Sequence, residues 1–219
     1  MPRFMPGKFI VIYGINNLGK STQAKLLVER IKKQASHTVA EREVPAEYVK
    51  YPIYDLEPTG PMINAYLRKG NPDGLSPREF QMLHAQNRTH FEKFLLAKLD
   101  RYHVVAEDYL GTSIAWGAGA GVDRNLLKSL NSHLLSPDIA FLFDGTRFSD
   151  GIERGHAHES NDDLTERVRL VHLELAVEFG WHIIDANRPI EVIHGEIWSK
   201  TKTLFGLLAD DFVDSAGRR

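Results

Sequence analysis

The sequence has no cysteine, which excludes disulfide staples and thiolate metal sites and favours a reducing compartment. It has no large excess of charge of either sign: 27 Lys and Arg stand against 29 Asp and Glu, a formal net charge of −2. Double-stranded nucleic acid is disfavoured as a partner, because binding it needs a basic face and the basic residues here are scattered. No apolar run reaches transmembrane length. Met1 to Lys8 contains Pro and Gly and lacks the apolar middle of a signal peptide. The expectation is a cytoplasmic protein with no membrane partner. Internal repeats and low-complexity linkers are also missing. What is present is ordinary: 219 residues, 42% hydrophobic and 26% charged, enough for one α/β domain with a well-buried core.

Short apolar runs alternate with helical patterns, the signature of βα units around a mostly parallel sheet. Strands are expected at Phe9–Tyr13, Tyr48–Tyr51, Val104–Glu107, Ile139–Phe143 and His182–Asp185, with His37–Val44 an edge strand or a connection. Helices are expected at Lys20–Gln34, at Pro61–Lys69 after the Pro58-Thr59-Gly60 turn, and from Ser76 to about Leu99. Ser76 and Glu79 make a capping box, with Pro77 at the first helical position. Phe80, Leu83, Asn87, Phe91 and Leu95 form a stripe at helical spacing along that helix. Leu164, Val168, Val171, Leu175 and Phe179 form another, ended by Gly180. Pro189 opens the last helix. A single domain is expected over 1–208, with a lid at about 147–163 and a polar tail over 209–219.

The strongest motif is Gly14-Ile15-Asn16-Asn17-Leu18-Gly19-Lys20-Ser21-Thr22, which has the phosphate-loop spacing of Gly, four residues, then Gly-Lys-Ser. A strand enters it and a helix leaves it. The glycines let the backbone curl so that successive N–H groups face phosphate oxygens, and the helix N-terminus adds partial positive charge. Lys20 is placed to bridge the β- and γ-phosphates of ATP, and Ser21 to ligate Mg²⁺. Farther on, Val104-Val105-Ala106-Glu107-Asp108-Tyr109 is an apolar strand ending in two acids. A carboxylate at a neighbouring strand end suits Mg²⁺, and strand alternation sends Glu107 and Asp108 to opposite faces if the strand continues. Gly117, Gly119 and Gly121 are spaced like a loop. His156 and His158 read as solvated residues rather than a metal pair.

The order of these motifs resembles the thymidylate kinase family, from about Lys8 to about Trp198. The phosphate loop runs on as Lys20-Ser21-Thr22-Gln23. Tyr51-Pro52-Ile53-Tyr54-Asp55 followed by Ala65-Tyr66-Leu67 is similar to the family's aromatic-Pro segment and Tyr-Leu helix. His84-Ala85-Gln86-Asn87-Arg88 resembles the stretch whose Arg hydrogen-bonds thymine and whose aromatic, four residues earlier, stacks on it. Glu107-Asp108-Tyr109 with Thr112 and Trp116 resembles the Asp-Arg-Tyr stretch. Arg154-Gly155 looks like the start of the lid, and Asp185-Ala186-Asn187 like the loop on the other adenine face.

The resemblance implies a three-layer fold with a five-stranded parallel sheet in the order 2-3-1-4-5, and a homodimer packed through helices such as the one over Phe80–Leu99. It implies transfer of the γ-phosphoryl of Mg-ATP to dTMP. Lys20, Glu107, Asp108 and Arg154 then act at the reacting phosphates. Gly14, Asn16, Asn17, Leu18, Gly19, Lys20, Ser21, Thr22, Arg154 and Asn187 hold ATP, and Ser21 and Glu107 hold Mg²⁺. Tyr51, Tyr54, His84, Arg88, Tyr109, Thr112 and Trp116 hold the acceptor.

The chain departs from the family where Glu107-Asp108 replaces Asp-Arg, where Ile53-Tyr54 follows Pro52 in place of an Arg, and at Asn16-Asn17. No Lys or Arg lies between Gly155 and Glu166. Lys20, Arg88, Arg147, Arg154, Lys50, Arg68 and Lys69 remain to supply positive charge. Two rival readings follow: a deoxynucleoside kinase of the same fold, and a nucleotide-binding protein without turnover.

Overall fold

Phe9-Ile10-Val11-Ile12-Tyr13 forms strand β1 (Phe9–Tyr13) with all five side chains buried, as a strand covered on both faces requires. The structure, a computed structural model, describes residues 7–35, 45–148 and 162–205. After β1 come α1 (Lys20–Ala35), β2 (Ala46–Lys50), α2 (Thr59–Arg68), α3 (Pro77–Leu99), β3 (His103–Glu107), α4 (Leu110–Gly119) and α5 (Arg124–Asn131). β4 (Ile139–Asp144), α6 (Asp162–Phe179), β5 (His182–Asp185), α7 (Ile190–Thr201) and a 3₁₀ turn over Lys202–Phe205 complete it. The strands pair in the order β2-β3-β1-β4-β5, every pair parallel, which is the expected order.

The sheet separates two apolar layers. Phe9, Val11 and Tyr13 pack with Leu95 and Leu99 of α3 and with Val104 and Ala106. Ile10 and Ile12 turn the other way, toward Leu27 and Ile31 of α1 and Ile197 of α7. This is the period-2 alternation of a strand put to use on both faces. Burying each such side chain stabilises the fold by about 1.5–3 kcal/mol. A smaller cluster, Ile63, Leu67, Phe80 and Leu83, ties α2 to α3.

The capping box of α3 forms as expected. Ser76 Oγ accepts from Glu79 N, and the Glu79 carboxylate accepts from Ser76 N at 2.8 Å. Gly180, at φ 68°, follows the end of α6, the left-handed stop that glycine makes without steric cost.

Several bounds differ from the sequence reading. β2 starts at Ala46 and ends at Lys50, so Tyr51 lies just beyond the strand, its N–H donating to Glu107 O at 3.0 Å. α2 begins at Thr59, not Pro61. Proline fits there because first-turn N–H groups have no helical acceptor to lose. The largest difference is that Gly117 and Gly119 are helical, within α4, and not in a loop. A Cβ on Gly117 would lie 2.8 Å from Leu127 Cδ2, and one on Gly119 would lie 2.7 Å from Val168 Cγ2. These glycines let α5 and α6 approach α4, a tertiary demand that overrides helix propensity. Residues 149–161, most of the expected lid at about 147–163, residues 36–44, and residues 206–219, which include the expected tail over 209–219, lie outside the described residues.

Candidate active site

The carboxyl ends of β1, β2 and β3 open on one cavity of about 410 Å³, the place where open α/β sheets bind ligands. One end is the loop between β1 and α1. Gly14 has φ 140°, Asn17 61° and Gly19 80°, so the backbone winds through conformations that ordinary residues resist. A Cβ at Gly14 would meet Phe143 O at 2.6 Å. Asn16 to Thr22 all line the cavity. Lys20 is nearly buried; its Nζ donates to Gly14 O at 2.9 Å and Ile15 O at 2.8 Å, and lies 3.7 Å from Asp108 Oδ1. The loop is braced from outside: Phe148 N donates to Asn17 O at 2.9 Å, and Gln23 Nε2 donates to Ile190 O at 2.9 Å.

The acidic strand end faces this loop. Ser21 Oγ and Tyr48 Oη each donate to Glu107 Oε2 at 2.5 Å, and Lys50 Nζ lies 3.0 Å from Oε1. Burial pushes the Glu107 carboxyl up, but Lys20, Lys50 and the two hydroxyl donors outweigh it and hold it below the usual carboxylate range. Asp108 moves the other way. Burial raises it, the Glu107 charge adds to that, and Lys20 only partly offsets them. Strand alternation does not separate the pair: β3 stops at Glu107, Asp108 turns to φ 59°, and both carboxylates line the cavity. Asp108 Oδ1 also accepts from Thr112 Oγ1 at 2.9 Å.

Ser21 and Glu107 bring two oxygen donors together, the set a Mg²⁺ ion takes while keeping waters and phosphate oxygens. Among the described residues no group of three or more His, Cys, Asp or Glu could hold a metal ion, and a site completed by phosphate needs none.

The far end of the cavity lies between α3 and α4. Arg88 is buried, Nε donates to Asn131 Oδ1 at 3.1 Å, and Asn131 Nδ2 donates to Leu127 O at 2.7 Å. Arg88 Nη2 has no hydrogen-bond partner among the described residues. Burial pushes its guanidinium down to about 10, against the pull of the Tyr109, Tyr51 and Tyr13 hydroxyls. Gln81, His84, Ser113 and Trp116 share this end, and Ser113 Oγ donates to Gln81 Oε1 at 2.5 Å. The His84 ring stands edge-on to Phe80 at 4.6 Å.

Tyr51 and Tyr109 also line the cavity, ring centroids 5.0 Å apart, and Tyr109 Oη donates to Glu92 Oε2 at 3.3 Å. Burial raises both phenols. Tyr54 lines the same stretch with the Arg68 guanidinium 5.1 Å over its ring.

Thus the cavity collects nearly every residue singled out from the sequence. Asn187 is elsewhere, bracketing Thr146 by accepting from its N–H at 2.7 Å and donating to its carbonyl at 2.8 Å. It lines a second opening with Ile15, Gly145 and Arg147. Arg154 lies outside the described residues. Asn87 does not line the cavity; it grips the Ile53 backbone through Oδ1 at 2.8 Å and Nδ2 at 2.9 Å. Asp144 makes a fork with Arg169, at 2.6 and 2.9 Å. Gln81, Ser113 and Tyr48 were not read from the sequence. Gln81 could have been found, since it precedes His84 by three and Arg88 by seven on one helix face.

A glycine-rich loop feeding a helix, a lysine within it, and a carboxylate at the adjoining strand end define a P-loop nucleotide-binding protein with the apparatus for phosphoryl transfer. The described helices include none long and apolar enough to cross a membrane. Residues 12–197 match the thymidylate kinase family, and the chain belongs to that family. It is 30% identical over 217 residues to a thymidylate kinase of Halothermothrix orenii, covering 90% of this chain and 98% of the relative. It is 32% identical over 212 residues to a probable thymidylate kinase of Thermococcus kodakarensis, with the same two coverages. A solved thymidylate kinase structure from Candida albicans superposes with a TM-score of 0.75 at 21% identity, over 91% of this chain and 93% of that one, which speaks to the fold.

Proposed function

We propose that the chain transfers the γ-phosphoryl group of ATP to dTMP, giving dTDP and ADP. The observation that carries this is the single cavity running from the phosphate loop with Lys20 to the buried guanidinium of Arg88. It joins a donor-phosphate end to an end suited to a planar base. Family membership and the named relatives point to the same reaction.

In this reading the loop N–H groups and the N-terminus of α1 cradle the β- and γ-phosphates. Lys20 exchanges the Gly14 and Ile15 carbonyls for phosphate oxygens and follows the charge that builds there. Ser21 and Glu107 would hold Mg²⁺, which would supply neutralisation of phosphate charge. Arg88 Nη2 donates to the base, oriented by Asn131, while His84 and Trp116 pack on its faces. The acceptor phosphate attacks in line; its second ionisation, near pH 6, leaves it a nucleophile that needs no general base. Asn187 and Arg147 form the adenine side of the donor site, and Arg154 is assigned to the same nucleotide.

One observation favours the deoxynucleoside reading: Asp108 places a second carboxyl in the cavity, suited to taking a proton from a hydroxyl acceptor. ADP release measured with ATP and either dTMP or thymidine decides between them. Turnover of dTMP is expected, and turnover of thymidine alone would overturn the reading. We further propose a cytoplasmic homodimer through α3, whose outer side exposes Met82 and Phe94; a monomer by sedimentation would refute the dimer.

A further inference from the structure

We propose that Lys50 and Arg68 form the clamp for the acceptor's phosphate, an inference that rests on the acceptor being a nucleoside monophosphate. Among the described residues, Lys20, Lys50, Arg68 and Arg88 are the cations that line the cavity. Lys20 belongs to the donor loop, bound to its carbonyls. Arg88 belongs to the base end, anchored by Asn131. That leaves Lys50 and Arg68, which line the same cavity from the ends of β2 and α2.

A monophosphate whose base reaches α3 and α4 must bring its negative charge past Glu107 and Asp108, both cavity-lining carboxylates. Like charges in a partly dehydrated site disfavour that passage strongly unless cations intervene. Lys50 is placed to intervene. Its residue pairs in register with Glu107, its ammonium lies 3.0 Å from Oε1, and half its side chain remains accessible. An ammonium has three donors on a flexible stem, so it can bridge the carboxylate and a phosphate oxygen together. Arg68 complements it. Its guanidinium is set over the Tyr54 ring at 5.1 Å, and Nη1 donates to Asn64 Oδ1 at 2.7 Å. These contacts orient the exposed fork, and a guanidinium fork suits two phosphate oxygens.

The test compares dTMP with thymidine as calorimetric ligands of the full chain, wild type against Lys50→Ala, Arg68→Ala and the double variant. A clamp makes wild type bind dTMP about a hundredfold more tightly than thymidine. Each substitution weakens dTMP by about tenfold, and the double variant brings the two affinities together. Thymidine affinity stays within about twofold, which also reports a folded cavity. An unchanged dTMP-to-thymidine ratio in the double variant overturns the proposal. Lys50→Gln and Arg68→Gln serve where the alanine variants lose thymidine; parallel loss of both ligands there overturns it too. The kinase reading fails by a separate signal, no dTDP from wild type given ATP, Mg²⁺ and dTMP, on which the binding ratio does not depend.

Discussion

At the end of the cavity beside β1 the lining is the loop and first helical turn from Asn16 to Thr22, and in the proposed reading a ligand there meets backbone N–H groups. At the end between α3 and α4 it meets side chains carried by separate helices, Arg88 and Gln81 on one and Ser113 and Trp116 on the other. The two ends tolerate change differently. A cradle of amides depends on loop conformation, so Asn16 and Asn17 can occupy it while the curl survives, with Asn17 accepting φ 61°. A wall of side chains depends on each group being present and on each neighbour that aims it.

Four measurements break or sharpen this contrast. The largest effect is expected at the one indispensable side chain of the backbone end. Lys20→Ala should lower kcat/KM by about 10³-fold or more, since it removes charge that follows the transferred phosphoryl group. Glu107→Gln should lower kcat by about 10²-fold and raise the Mg²⁺ concentration needed for half-maximal rate. Equal rates across a magnesium titration would refute its role. Arg88→Met should raise KM for dTMP by about ten- to a hundredfold with KM for ATP held, because it strips a buried donor from one end only. A parallel rise in both constants would show that the ends are not separable.

The smallest effect concerns support behind the phosphate end rather than chemistry. His172 of α6 is buried, and burial, with the Lys20 charge, lowers it from 6.5 to about 3 against the opposing pull of the Val168 backbone. Its folded value lies below its unfolded one, so the unfolded chain binds the extra proton as pH falls. The stability from keeping the ring neutral is whole above pH 6.5 and lost progressively toward pH 3. Urea unfolding should show wild type losing about 2 kcal/mol more than His172→Phe between about pH 7 and pH 5. Equal losses would refute it.

The same contrast explains what the sequence could tell. The phosphate loop is local: nine consecutive residues carry it, and strand β1 before it is legible from five consecutive apolar residues. The capping box at Ser76 and Glu79 is local too, and α3 runs over the expected span. The base end is assembled from α3, α4 and α5, and neither α4 nor α5 was read. Glycines at 111, 117 and 119 argue against a helix on propensity. They are there because Trp181, Leu127 and Val168 occupy the space a Cβ would need. The facing of Asp108 stayed open for a related reason: its φ of 59° ends the strand alternation, and no local pattern announces that. The partnership of Ser113 with Gln81, thirty-two residues apart, is likewise a property of packing.

Asn87 has a consequence for how acceptor choice can change. It precedes Arg88 on α3, grips both polar groups of the Ile53 backbone, and donates to Thr59 Oγ1 at 2.9 Å. Helix α3 and the segment carrying Tyr51 and Tyr54 therefore travel as one rigid jaw. Room for a bulkier purine cannot be opened by drawing back either side alone. A lineage moving toward that substrate must trim side chains inside the jaw, leaving the Asn87 hydrogen bonds intact.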